Sequence, residues 1–377
     1  MKVVGFPVKV LSWIMGGQLQ EVSKGIKVNS RSGSYSIFFG SRFDALNFGP
    51  NHVFIADSFF RDVLTGVEST CIFVEANEKN KTLESVVVIL AKLHSLGATK
   101  GTRIIALGGG IVQDLATLVA SLYMRGLKWT YVPTTKMAQF DSCIGGKSSI
   151  NLGGVKNIVG NIYPPSEIYI DESFEETLNH EAIASGYLEA IKISYAFGSK
   201  GFNAHLELAK SYSDCSKIPS LSLCELVLNQ KKRFVEDDEF DSGVRQLLNF
   251  GHTFAHAIES ATDYRIQHGL AVGMGMIMAM NHPDAVIMEN EIRLKKAILN
   301  LLKFAGKEAY ADIQMVEEDA FIRAFRADKK HSIDSFYLIL PVLGGLEKKS
   351  FDRSTQVEKV LLNILEATKR ELANELR

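Results

Sequence analysis

The chain has 377 residues, 46% of them hydrophobic, with 42 basic and 43 acidic side chains and a net charge of −1. That length suffices for two domains and that apolar content for a large core, which excludes a disordered chain. The even charge balance argues against a nucleic-acid binder, which would show a basic footprint, so any anion site must come from local clustering.

Met1-Lys2-Val3-Val4-Gly5-Phe6-Pro7 lacks a signal-peptide core and cleavage site. No uninterrupted apolar run of about 18 residues occurs, so no membrane span is expected and a cytoplasmic protein follows. Before residue 51 the pattern is weak, apart from an alternation at Ser34-Tyr35-Ser36-Ile37-Phe38-Phe39 that suggests a strand. His52 to Asp57 and Cys71 to Val74 read as buried strands. Thr82 to Leu96 reads as a helix, with apolar residues at Leu83, Val86, Val87, Leu90 and Leu93. Arg103 to Leu107 is a strand, Val112 to Met124 a helix, Lys128 to Val132 a strand, and Glu167 to Asp171 the last clear strand of this half. Alternating elements imply a parallel sheet covered by helices, a Rossmann-like α/β domain over 1–178.

After residue 178 the pattern turns helical: Ala182–Phe197, Leu221–Glu236, Val244–Thr262, Ala271–Met280, Glu289–Leu302 and Val357–Leu376, with one short strand candidate at Phe336–Leu340. A mainly helical second domain over 179–377 is expected. Cys71, Cys143, Cys215 and Cys224 show no C-x-x-C spacing and read as buried free thiols.

Several clusters carry chemistry. Gly108-Gly109-Gly110 sits at a strand-to-helix turn, where backbone amides can approach a pyrophosphate with no side chain in the way. The spacing is not G-x-G-x-x-G, so the ordinary dinucleotide fingerprint is absent. Asp141-Ser142-Cys143-Ile144-Gly145-Gly146-Lys147 imitates the end of a P-loop without being one, yet Lys147 can present a point charge to a phosphate. Lys156-Asn157 follows in a glycine-containing loop. Further cations are Arg125, Lys192, Lys231, Arg245, Lys329 and Lys330. Lys192 lies one helical turn after Glu189 on the same face. His252 and His256 share a helix face at i, i+4, and His268 follows. Two imidazoles plus the carboxylate of Glu189 would make a catalytic zinc set with a position open for substrate.

In order along the chain, Gly-Gly-Gly-x-x-x-Asp, Met-Arg-Gly, Val-Pro-Thr-Thr, Asp-Ser-x-x-Gly-Gly-Lys, Lys-Asn-x-x-Gly and Asn-x-Gly-His-Thr-x-x-His resemble the 3-dehydroquinate synthase family of sugar phosphate cyclases, over roughly residues 50–345. So does Glu78-Lys79-Asn80-Lys81-Thr82-Leu83-Glu84. The resemblance implies a Rossmann-like domain followed by a helical one, with the active site between them. It implies that Glu189, His252 and His268 bind a divalent metal, zinc or cobalt, while His256 faces substrate. NAD contacts would map to Glu78, Lys81, Gly109, Gly110, Asp114, Thr134, Thr135, Asp141 and Thr177, with Lys147 and Lys156 at the cofactor–substrate junction. Substrate phosphate and carboxylate would meet Arg125, Asn157, Lys192, Lys231, Arg245, Asn249, His256 and the Lys329-Lys330 pair. A homodimer is implied, with Arg125 reaching across its interface.

Three departures stand out. Asn151-Leu152-Gly153-Gly154-Val155-Lys156-Asn157 replaces the Asn-His-Pro-x-Gly-Lys-Asn of quinate-forming members, Gln113 stands where glycine is usual, and His180 where arginine is usual. The expected reaction converts 3-deoxy-arabino-heptulosonate 7-phosphate to 3-dehydroquinate. A cyclase acting on sedoheptulose 7-phosphate or another sugar phosphate is the alternative, and a metal-dependent polyol dehydrogenase the second.

Overall fold

The computed structural model describes residues 25–40, 51–66, 68–153 and 155–375. The N-terminal segment and Gly154 therefore lie outside the described residues. The chain divides into two compact units, Met1–Leu178 and Asn179–Arg377.

In the first unit, strands β1 (Ile26–Val28), β2 (Tyr35–Phe39), β3 (His52–Asp57), β4 (Cys71–Val74), β5 (Arg103–Gly108) and β6 (Trp129–Pro133) precede a hairpin of β7 (Lys147–Leu152) and β8 (Val155–Ile162), and β9 (Glu167–Ile170) follows. Seven of them form one sheet in the order β1-β2-β9-β6-β5-β3-β4. All its pairings are parallel except β1–β2, which is antiparallel. The central strands are buried on both faces, so they read as continuous apolar runs. Helix Leu83–Ser95 starts where Thr82 Oγ1 accepts a hydrogen bond from Ser85 N at 3.3 Å. Helix Gly110–Leu122 has Gly109 at its N-cap and no side-chain cap, which leaves its first amides without a side-chain acceptor.

The stretch expected to be a glycine-containing loop is instead the β7–β8 hairpin, in antiparallel register with an irregularity between Ile150 and Leu152. Its strands escaped notice because glycines and polar residues interrupt the alternation of β8.

The second unit contains helices His180–Phe197, Ser199–Ala209, Ser220–Asp237, His252–Ala261, His268–Met280, Glu289–Ala305, Glu318–Arg326 and Thr355–Glu375. The single strand expected here is one arm of a second hairpin, β10 (Ser335–Val342) with β11 (Gly345–Asp352). Helix His268–Met280 is buried from Gly269 to Met280 and forms the core of this unit. No described helix is long and apolar enough to cross a membrane. None of the four cysteines forms a disulfide; Cys143, Cys215 and Cys224 are buried.

One expected helix, Val244–Thr262, is broken. Val244–Asn249 is a 3₁₀ turn, and the α-helix begins only at His252. Gly251 causes the break: it sits in the left-handed region at φ 79°, against helix His268–Met280, where an added Cβ would lie 2.7 Å from Met276 N. Apolar periodicity through Leu247, Leu248 and Phe250 hid this turn. Replacing Gly251 by alanine combines positive-φ strain with a backbone clash. We expect Gly251→Ala to lower Tm by about 5 °C or more in calorimetry, and a shift below about 1 °C would refute this account of the break.

Candidate active site

In the first unit the glycine run lies where β5 ends and helix Gly110–Leu122 begins. A Cβ on Gly109 would lie 2.9 Å from Thr135 Cγ2, whereas one on Gly110 would meet nothing nearer than Ser142 Oγ at 3.8 Å. Thr135 thus closes over the turn, while the helix start stays open to an incoming group. Thr134 N donates to Gly108 O at 3.1 Å, fixing the end of β6 to the turn. Gln113 ties the helix to the π-helical turn Ala138–Ser142 that carries Asp141. Its Nε2 donates to Ser142 O at 2.7 Å, and its Oε1 accepts from Ser142 Oγ at 2.6 Å. A glycine there could make neither bond.

A polar cluster joins this turn to the β7–β8 hairpin. Lys81 Nζ lies 2.7 Å from Asp114 Oδ2, and Asp114 Oδ1 accepts from Ser149 N at 3.0 Å. Burial pushes the Asp114 carboxyl up, against the pull of Lys81. Glu78 Oε1 accepts from Asn151 Nδ2 at 2.9 Å and lies 3.7 Å from Lys156 Nζ. Asn157, at φ 55°, accepts from Ser149 Oγ at 2.9 Å. The hairpin therefore brings Glu78, Lys81, Asp114, Lys156 and Asn157 into one network. Lys147 begins β7 and is exposed, and Thr177 donates to Phe174 O at 2.7 Å in the turn after β9. Arg125 is not brought to this network. It is exposed, in the left-handed region, and beyond the far end of helix Gly110–Leu122, roughly 20 Å along the helix axis from the glycine turn.

In the second unit, Gly269 sets the decisive spacing. A Cβ there would lie 2.1 Å from Ser185 O, and Gly269 N donates to Ser185 Oγ at 3.0 Å. Helix His268–Met280 thus approaches helix His180–Phe197 one turn before Glu189, which puts His268 within reach of that carboxylate. Glu189 Oε1 lies 3.4 Å from His252 Nε2 and 3.4 Å from His268 Nε2. Glu189 Oε2 faces the Lys192 ammonium. One donor atom from each of Glu189, His252 and His268 falls within 4.8 Å of the others.

Glu189 is 1% exposed. Burial pushes its carboxyl up, but Lys192 and His252 together hold it well below the usual range. His252 is pushed well down by burial, with Lys192 adding to the effect. Burial also opposes charge on His268, yet Glu259 and Glu189 raise it to about 10. His268 Nδ1 lies 3.1 Å from Glu259 Oε2, so a second carboxylate orients the ring. A buried carboxylate with two imidazoles, one of them backed by Glu259, is a donor set suited to a divalent cation. His256, Glu259 and His268 form a second such group, so His256 is close to the cluster as well. Its Nδ1 lies 2.8 Å from Asp328 Oδ2.

Asn249, Lys329 and Lys330 line a cavity of about 330 Å³ in this unit. Lys330 lies near enough to His252 and His256 to lower both. Arg245 is buried, its Nη1 donating to Glu239 O at 2.6 Å. Lys231 is buried on helix Ser220–Asp237, beside Gln230, which accepts from Ser194 of the Glu189 helix at 2.6 Å. The His180 ring lies against that of Phe304, centroids 4.5 Å apart and tilted by 31°. Sequence reading passed over Glu259 and Asp328 as partners. Their signals were modest: Glu259 follows His256 by three residues, and Asp328 precedes the lysine pair.

The 3-dehydroquinate synthase N-terminal family model matches residues 71–185, and the 3-dehydroquinate synthase C-terminal model matches 186–331. A 3-dehydroquinate synthase of Caldanaerobacter subterraneus subsp. tengcongensis is 37% identical over 279 residues, 73% of this chain and 76% of that protein. One from Campylobacter jejuni subsp. jejuni is 31% identical over 336 residues, 86% of this chain and 95% of that protein. Among solved structures, 2-deoxy-scyllo-inosose synthase complexed with carbaglucose-6-phosphate, NAD+ and Co2+ matches with a TM-score of 0.75 at 22% identity, over 90% of this chain and 99% of that one. The fold is that of the sugar phosphate cyclases. Within that class, the chain belongs to the 3-dehydroquinate synthase family.

Burial lowers Lys330 to about 8 from its ordinary 10.5, although Asp328 pulls it back up. Between those values the unfolded chain holds the proton and the folded chain does not, so this group adds stability as pH rises through the window. An anion held by the protonated form would bind more weakly as pH climbs past about 8. A carbon-13 NMR titration of labelled lysines should show one resonance with a midpoint near about 8, absent in Lys330→Met. If every lysine titrates near its ordinary value, the depression is wrong.

Proposed function

We propose that this chain is a 3-dehydroquinate synthase, closing 3-deoxy-arabino-heptulosonate 7-phosphate into 3-dehydroquinate with release of phosphate. Residues 1–178 would bind NAD and 179–377 the metal and substrate. The observation that carries the reading is the carboxylate–imidazole cluster of Glu189, His252 and His268 next to a lysine-lined cavity, in a member of this family. A solved relative of the same fold holds NAD+ and Co2+ and another NAD+ and Zn2+, which supports NAD and a divalent metal here.

When bound, the metal would acidify a substrate hydroxyl, and NAD would take up and later return a hydride. Glu189, His252 and His268 would hold the metal, with Glu259 orienting His268. Lys192 keeps Glu189 ionised in its buried setting. Gly109, Gly110, Thr134 and Thr135 would cradle the pyrophosphate, with Asp141 and Thr177 beside them. Lys81 and Glu78 order the neighbouring hairpin, from which Lys147 and Lys156 would reach the junction of cofactor and substrate. Asp328 accepts from His256 Nδ1, which leaves Nε2 as the nitrogen able to take a proton. Lys231, Arg245, Asn249, Lys329 and Lys330 would hold substrate oxyanions and balance the charge of departing phosphate. Asn157 would contact substrate, and Arg125 would serve a second subunit's site in a homodimer.

The hairpin tip, where Leu152 replaces the usual histidine, is the feature that favours a second reading, a cyclase for sedoheptulose 7-phosphate. A phosphate-release assay with both sugars separates the two. We expect release from 3-deoxy-arabino-heptulosonate 7-phosphate with only transient NADH fluorescence. Steady accumulation of NADH would instead indicate a dehydrogenase. Lys147→Ala should lower kcat by roughly a hundredfold or more. Glu189→Gln should leave the protein folded but strip most of its bound metal in elemental analysis; full retention would remove Glu189 from the ligand set.

A further inference from the structure

The cavity beside the imidazole cluster contains a third cation that the family reading does not use. Its floor is the β10–β11 hairpin. Tyr337 and Ile339 lie two apart on β10 and share a face, and Ile339 pairs directly with Lys348 of β11, so all three side chains line the same space. Lys348 Nζ donates to Gln246 Oε1 at 3.0 Å and stands 4.4 Å from the centre of the Tyr337 ring. Gln246 belongs to the 3₁₀ turn that also carries Asn249.

Both contacts of Lys348 are neutral, and no carboxylate ion-pairs with it among the described residues. Lys330 Nζ is buried in the wall without a hydrogen-bond partner. The lining thus holds three ammonium groups, Lys329, Lys330 and Lys348, against one carboxylate, Asp241. Like charges gathered in so small a space repel one another unless an anion sits among them. Lys348 is exposed, and the amide of Gln246 and the ring of Tyr337 hold its ammonium group at the cavity.

We propose that Lys348 is a substrate-binding residue, donating to an oxyanion of the substrate from the hairpin while Lys329 and Lys330 donate from elsewhere in the same lining. Gln246 and Tyr337 position it. This rests on the proposed reading of the chain as an enzyme for an anionic sugar phosphate. The oxyanion is either the phosphate or the carboxylate, which offer the same chemistry to an ammonium group.

The test compares wild type, Lys348→Met and Lys348→Arg as full-length proteins. KM for 3-deoxy-arabino-heptulosonate 7-phosphate should rise about tenfold or more in Lys348→Met with kcat changed far less, as expected for loss of one charge-assisted contact. Lys348→Arg should recover most of that loss. Calorimetric titration with inorganic phosphate and with quinate identifies the group. Weakened phosphate binding assigns Lys348 to the phosphate, and weakened quinate binding to the carboxylate. Unchanged affinity for both probes together with an unchanged KM overturns the proposal. Should the wild type fail to turn over the sugar phosphate, the functional reading falls. The two titrations still decide Lys348: weaker binding in Lys348→Met upholds it, and equal binding sinks it. Bound metal should be the same in all three proteins.

Discussion

The ionised carboxylate of Glu189, buried between two imidazoles and an ammonium group, is the constraint on which the second unit depends. An unpaired carboxylate at 1% exposure would be untenable, so its partners must arrive together. Each comes from a different place: Lys192 from the same helix, His252 from the first residue of helix His252–Ala261, and His268 from the core helix. Two glycines allow the convergence. Gly251 turns the chain so that His252 opens a helix, and Gly269 removes the side chain that would hold the core helix away from Ser185. The cluster is therefore a consequence of backbone approach rather than of ligand spacing alone.

That approach has an electrostatic consequence. With carboxylates on two sides, His268 is drawn to the protonated form, whereas buried His252 stays neutral. Lys192 and protonated His268 balance the carboxylates of Glu189 and Glu259, so loss of the His268 proton leaves the negative charge that a divalent cation would answer. A cation entering the cluster would displace the His268 proton, so metal affinity and pH are linked through this one ring.

Much of the first unit could be read from the chain because buried parallel strands such as β5 and β6 are continuous apolar runs. The β7–β8 and β10–β11 hairpins were hidden for the opposite reason. Neither β8 nor β11 buries a residue, so only pairing with their partners defines them. Of the candidate site, the Glu189–Lys192 pair was legible from helical spacing. The company of His252 and His268 was not. The His252–His256 spacing left the ligand set open, and it was the family resemblance that separated those two rings. Neither the turn at Gly251 nor the close contact at Gly269 carries a local signature. Lys348 escaped for a similar reason, since only the strand register sets it opposite Ile339 and so over the cavity.

The near-zero net charge of the chain sharpens what the lysine-lined cavity means. A protein with 42 basic and 43 acidic residues has no general field to draw in anions. Whatever affinity it has for a phosphorylated acid must be stored locally, as ammonium groups that spend no hydrogen bond on a carboxylate. Lys330 stores it by burial, visible in its fall to about 8. Lys348 stores it on an amide oxygen and an aromatic ring. Asp328 and Asp241 offset only part of the repulsion among these ammonium groups, and the remainder, already present in the free protein, would be relieved by an anion that enters.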